Sequence, residues 1–154
     1  PIMMYNIPSR CGVNMEPETI AKLSKIENIV AIKEASGSIS QLQEIKKQCN
    51  IMIFSGDDSL ILPTIALGGV GVVSVLANIL PKVVLELVEL SLNNDFDKAS
   101  KLYYQYHEKI KTLFIETNPI PIKEAMAQNK MLLNIYRLPM LPSKYSEKIN
   151  QVFF

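Results

Sequence analysis

The chain has 154 residues, which as a prior is about one domain, with 48% hydrophobic and 20% charged residues and a formal net charge of +1. So even a balance carries no electrostatic footprint for nucleic acid or for an anionic membrane surface. No apolar run approaches the roughly 20 residues that a membrane-spanning helix needs. Cys11, Cys49 and the single histidine, His107, lack metal-ligand spacing, which argues against a zinc centre. Two free thiols point to a cytoplasmic location, and Pro1 to Asn6 reads as a strand rather than a secretory leader.

The first half of the chain alternates two patterns. Ile2 to Asn6 is a short apolar run and predicts a strand. Pro17 to Lys25 predicts a helix, with proline at its first turn and Ile20 and Leu23 on one face. Ile29 to Lys33 is a second, β-branched run. Ser38 to Gln48 predicts a helix with a capping box from Ser38 and Gln41 and an apolar stripe of Ile39, Leu42 and Ile45. Ile51 to Ser55 is a third run. Ser59 to Leu67 predicts a short helix, limited by Pro63 and closed by Gly68-Gly69. Val70 to Val75 is a fourth run, and a helix follows from Pro81 to Leu92. Strands alternating with helices are the pattern of parallel βαβ units, and runs apolar on both faces predict a sheet buried on both faces.

From Phe96 the pattern changes. Phe96, Ala99, Tyr103, Tyr106, Ile110 and Leu113 recur every three or four residues, one long amphipathic helix. Asn118-Pro119-Ile120-Pro121 interrupts it, a helix runs on to Gln128, and Arg137 to Pro142 is a rigid linker before a last helix near Ser143. The expected division is 1–94 for four βα units and 95–154 for a helical domain. Four parallel strands make either an open sheet or half of an eight-stranded barrel; a closed barrel typically takes about 250 residues. The apolar opening, Pro1-Ile2-Met3-Met4-Tyr5, is unusual for a chain end and suits a chain cut into a longer protein.

In α/β folds chemistry gathers at the C-terminal ends of the strands. Lys33 ends the run Ile29-Val30-Ala31-Ile32. By position alone it is a lysine snorkelling to solvent. In an enclosed apolar site, desolvation would instead favour the neutral amine, a nucleophile able to form an imine with a carbonyl. Tyr5 is a core tyrosine or a proton relay. Arg10 is a solvated loop residue or a bidentate clamp for a carboxylate. Gly56 and Gly71 serve turns or let backbone approach a ligand. Asp57 and Asp58 are read as a helix cap rather than a metal pair, and the stripe from Phe96 to Leu113 as core or subunit interface.

The strings Tyr5-Asn6-Ile7-Pro8-Ser9-Arg10-x-Gly12, Ile32-Lys33-Glu34-Ala35-Ser36-Gly37, Ser55-Gly56-Asp57-Asp58 and Gly68-Gly69-x-Gly71-Val72-Val73-Ser74-Val75 resemble the dihydrodipicolinate synthase family, as do Asn118 to Lys123 and Arg137 to Met140. The resemblance implies the C-terminal half of a (β/α)8 TIM barrel, an α/β fold of four βα units followed by a C-terminal helical domain. It implies a homo-oligomer, usually a homotetramer, that condenses pyruvate with L-aspartate 4-semialdehyde towards diaminopimelate and lysine. It gives Lys33 the pyruvate imine and Tyr5 the proton relay. Arg10 would hold the aldehyde's carboxylate, Val73 would offer its backbone to pyruvate, and Gly56 would lie close by. No metal or organic cofactor is implied, because the imine is the electron sink. The related N-acetylneuraminate lyases share the tyrosine string and the lysine but not usually the arginine or Ser-Gly-Asp-Asp. The family's two relay threonines, a tyrosine reaching across the dimer and a lysine feedback site match no position here. An N-terminal barrel half, as a separate chain or fragment, is therefore the expected partner; a truncated assembly module without catalysis is the alternative.

Overall fold

The computed structural model describes residues 1–154. Four strands, β1 (Ile2–Asn6), β2 (Ile29–Glu34), β3 (Met52–Ser55) and β4 (Gly71–Val72), form one sheet in the order β1-β2-β3-β4. Every pairing is parallel. Helices α1 (Pro8–Cys11), α2 (Pro17–Leu23), α3 (Ile39–Gln48), α4 (Ile61–Ala66) and α5 (Pro81–Leu92) fill the connections and the segment after β4. Helices α6 (Phe96–Thr112), α7 (Ile120–Gln128) and α8 (Ser146–Phe153) follow. No helix is long and apolar enough to cross a membrane.

The helices begin where the local chemistry satisfies their first N–H groups. Ser38 Oγ accepts from the Gln41 N–H at 3.1 Å. The return half of the expected capping box does not form: the Gln41 amide reaches Glu34 and Asn14 instead. Asp57 caps a 3-10 turn over Asp58–Leu60, accepting from the Ser59 N–H at 2.8 Å. Asp95 caps α6 from its side chain. Pro17 and Pro81 stand in the first turns of α2 and α5, where a missing N–H costs nothing. Gly68, at φ +88°, turns the chain out of α4 in a conformation that disfavours any side chain. Helix α2 stops at Leu23, two residues short of expectation, and α8 begins at Ser146 rather than near Ser143.

Two apolar clusters hold the chain together. Met4, Ile32, Ile51 and Ile53 from the sheet region pack with Ile20, Leu42 and Ile45 from α2 and α3. Ile61, Ile65, Leu76, Val84 and Leu87 pack with Ala99, Ile110, Leu113 and Ile122, so the second cluster draws on both sides of residue 94.

Two expectations about the sheet are corrected. The run Val70 to Val75 yields only a two-residue strand: β4 pairs with β3 alone, and past Val72 the chain turns towards a 3-10 turn at Leu76–Asn78. Nor is the sheet buried on both faces. Met4, Ile32 and Ile53 are covered by helices, whereas Met3, Tyr5 and Met52 on the opposite face are each more than 40% exposed. The apolar runs are two-sided, but the chain supplies a layer for only one side.

Candidate active site

Strand alternation sends neighbouring residues to opposite faces. At the C-terminal ends of β1 and β2 this separates two functions. Asn6 and Glu34 point to the helix side, where both are buried. The Asn6 amide donates to both Glu34 oxygens at 3.2 and 3.0 Å. Glu34 also accepts from the Ser36 N–H at 2.7 Å and from the Gln41 amide at 3.2 Å. Asn6 Oδ1 accepts from the Met15 N–H at 2.9 Å. This network pins the strand ends to the loop before α2 and to α3.

Their neighbours Tyr5 and Lys33 stand on the open face. The register places Tyr5, Lys33, Phe54 and Gly71 side by side in one row across all four strands. Lys33 Nζ lies 4.0 Å from the centre of the Tyr5 ring. Lys33 is half-buried rather than enclosed, because the face it stands on has no cover in this chain. Tyr5 is 46% exposed, on the sheet face that this chain leaves uncovered. Gly56 touches the lysine from the other side: a Cβ built there would lie 3.1 Å from Lys33 Cε and 2.5 Å from the Ala35 Cβ. The close approach is to the lysine stem.

A cavity of about 410 Å³ opens beside Lys33, walled by Val73, Ser74, Val75, Asn78 and, from the region around α7, Asn118 and Ile122 among others. Val73 is held by its N–H, which donates to the Ser55 carbonyl at 2.8 Å. The stretch that follows is anchored by Asp58. Its carboxylate accepts from the Ser74 hydroxyl and from the N–H groups of Val75 and Leu76 at 2.9 and 3.2 Å. Burial pushes the Asp58 pKa above the ordinary carboxylate value, against the hydrogen bonds that pull it down. Asp57 caps and Asp58 anchors, and the structure holds no cluster of acidic, histidine or cysteine side chains suited to a metal ion.

Arg10 stands exposed in the short helix α1 rather than in the expected loop, and its Nη2 donates to the Asn118 carbonyl at 3.0 Å. That bond ties the arginine to the cavity wall across 108 positions of sequence. The structure thus brings Lys33, Tyr5, Gly56 and Val73 together at the strand ends and sets Arg10 at the rim. Sequence reasoning missed Phe54, Glu34 and Asn118, while Asp58, expected as a cap, is an anchor for the stretch after β4. Phe54 was within reach, since the period-2 pattern of β3 puts it on the same face as Met52. The bond between Arg10 and Asn118 left no signal in the sequence.

The model of the dihydrodipicolinate synthetase family matches residues 1–152. The 4-hydroxy-tetrahydrodipicolinate synthase of Caldicellulosiruptor saccharolyticus is 53% identical over 143 residues, covering 92% of this chain and 48% of that protein. That of Methanococcus maripaludis is 48% identical over 150 residues, covering 97% of this chain and 52% of that one. The crystal structure of dihydrodipicolinate synthase from Aquifex aeolicus superposes with a TM-score of 0.97 at 42% identity, covering 99% of this chain and 54% of that one. The chain spans about half the length of the curated relatives it matches. With a family match reaching from residue 1 to residue 152 and the same backbone in a solved relative, the chain belongs to the dihydrodipicolinate synthetase family.

Proposed function

We propose that this chain carries the imine-forming lysine of a synthase that condenses pyruvate with L-aspartate 4-semialdehyde. The observation that carries the reading is the row Tyr5-Lys33-Phe54-Gly71, with the Lys33 amine 4.0 Å from the Tyr5 ring, beside an open cavity at the strand ends. The Lys33 nitrogen adds to the keto carbon of pyruvate, and water leaves to form an imine. The imine draws electrons from the methyl carbon, which loses a proton and becomes an enamine. The enamine carbon then bonds to the aldehyde carbon, and the aldehyde oxygen takes a proton. Tyr5, whose ring packs against the Lys33 amine, relays that proton. Gly56 lets the backbone pack closely against the lysine stem, the Val73 backbone contacts pyruvate, and Arg10 receives the carboxylate of the semialdehyde. The chemistry calls for no metal or organic cofactor.

In this reading residues 1–94 are four βα units of an eight-unit barrel and residues 95–154 the helical domain packed on it. The open sheet face supports the view that the pocket is completed by the four missing units, held as a separate chain or another segment, in a homo-oligomeric enzyme. The arginine at the rim favours a small carboxylated aldehyde over the sugar substrate of the neuraminate lyases. The test is borohydride trapping with pyruvate, read by intact mass and peptide mapping, on this chain with and without the N-terminal barrel units. The expected result is one reduced adduct, on Lys33, in the assembled protein and none in Lys33→Ala. An adduct on another lysine, or none in the assembled protein, would sink the reading.

A further inference from the structure

Tyr5 and Lys33 are the last residues but one of their strands, where a ladder ends and fraying begins. What holds them lies behind the sheet. The final pair of the ladder, Asn6 and Glu34, is 2% and 7% exposed on the covered face. The Asn6 amide donates to both Glu34 oxygens. It also donates to Asn14 Oδ1 at 3.0 Å, and its own oxygen accepts from the Met15 N–H at 2.9 Å, so neither end of the amide is free to turn. Both residues are tied through the backbone as well. The Asn6 carbonyl accepts from the Ala35 N–H at 2.9 Å, and the Glu34 carbonyl accepts from the Gly56 N–H at 2.7 Å.

Stability alone is a poor reason for this pair. Burying a carboxylate is costly unless donors meet it, and no cation meets Glu34: every ion pair of the chain lies elsewhere. Two apolar side chains of the same shape would hold the strands together about as well. What the amide and the carboxylate add is direction, because their bonds fix how the two strand ends are turned relative to each other. Neighbouring residues of a strand point to opposite faces, so fixing Asn6 and Glu34 behind the sheet fixes Tyr5 and Lys33 in front of it. We propose that Asn6 and Glu34 are positioning residues for the reaction: their hydrogen-bonded pair sets Tyr5 against the Lys33 amine from the far side of the sheet. The inference rests on the function proposed above, with Lys33 forming the imine and Tyr5 relaying the proton.

The test is a double-mutant cycle on the assembled enzyme, read as kcat for the condensation. Glu34→Gln keeps the size of the side chain but turns an amide donor towards the Asn6 and Gln41 amides. In the otherwise unsubstituted enzyme kcat is expected to fall roughly 10- to 100-fold, the scale that a misplacement of about 1 Å can reach. In a Tyr5→Phe background the relay is already lost, and the same change is expected to lower kcat by no more than about 3-fold, because residues that act as a unit are not additive. An unchanged kcat in Glu34→Gln overturns the proposal. So does an equal fall in both backgrounds, which is what a merely structural side chain would give. Should Glu34→Gln fail to fold, Asn6→Ser, which removes the amide from Glu34, is put through the same cycle and decides by the same outcomes. Borohydride trapping with pyruvate in the unsubstituted enzyme checks the function separately. An adduct on Lys33 beside either overturning result removes the positioning role alone, whereas no adduct removes the function and the inference with it.

Discussion

Lys33 and Tyr5 are brought side by side by the parallel register of β1 and β2, and the Lys33 amine then packs over the Tyr5 ring. The lysine stem is confined from behind by Gly56. Gly56→Ala would press a methyl to within 2.5 Å of Ala35 and 3.1 Å of Lys33 Cε. Such overpacking costs about 1–3 kcal/mol. The expected outcome is a lower urea midpoint together with slower trapping of pyruvate on Lys33; unchanged trapping would mean that the stem moves freely there. At this scale the sequence was informative where the signal is local. A lysine closing a β-branched run and a glycine after a strand can be read from a few residues. Arg10 could be marked as a clamp, but not what holds it, because the Asn118 carbonyl is 108 positions away and any residue has a carbonyl.

The elements around the cavity are fixed by two buried carboxylates whose pH dependences run in opposite directions. Asp58 anchors the stretch after β4. Its folded pKa is raised by burial. Its contribution to stability is therefore fully present below the unfolded aspartate value of about 3.9 and shrinks as pH rises through the folded value. Asp58→Ala leaves the Val75 and Leu76 N–H groups without an acceptor, an expected cost of about 1–3 kcal/mol in urea unfolding at neutral pH, larger in acid. Glu124 on α7 is the opposite case. Burial pushes its pKa up, but hydrogen bonds from Ser146, Asn134 and Gln128 outweigh it, and the folded pKa is lowered. Its contribution is present above the unfolded glutamate value of about 4.3 and is lost as pH falls through the folded value. Urea midpoints of Glu124→Gln and the parent chain should therefore converge as pH falls through the lowered Glu124 value; a gap that persists into acid would show that the charge is not what matters. The helix starts were legible because proline and Ser, Asp caps act within one turn. The fourth strand was not: an apolar run does not say whether a neighbour exists to pair with, and past Val72 the chain is drawn away to Asp58. Nor did two-sided apolarity reveal that only one side is covered.

Across the whole molecule, one sheet face and both outer strands lack a neighbour. Met3, Tyr5 and Met52 stand open on that face, and β1 and β4 are edges. Exposed strand edges of this kind invite pairing. Size-exclusion chromatography of this chain alone is expected to show self-association, reversed when the first four barrel units are added; a stable lone monomer would count against an incomplete barrel. The strand directions also restrict what can complete the sheet. Because all four strands run the same way in sequential order, the edges are unlike: β1 offers one rim and β4 the other. Two copies meeting through like rims as a two-fold pair would lie antiparallel, whereas joining β4 of one to β1 of the next is a head-to-tail contact. Head-to-tail contacts either close into a ring or run on into a filament. Curvature alone decides between the two, so the same edges that fit a single complementary half are, without it, the repeat unit of a polymer.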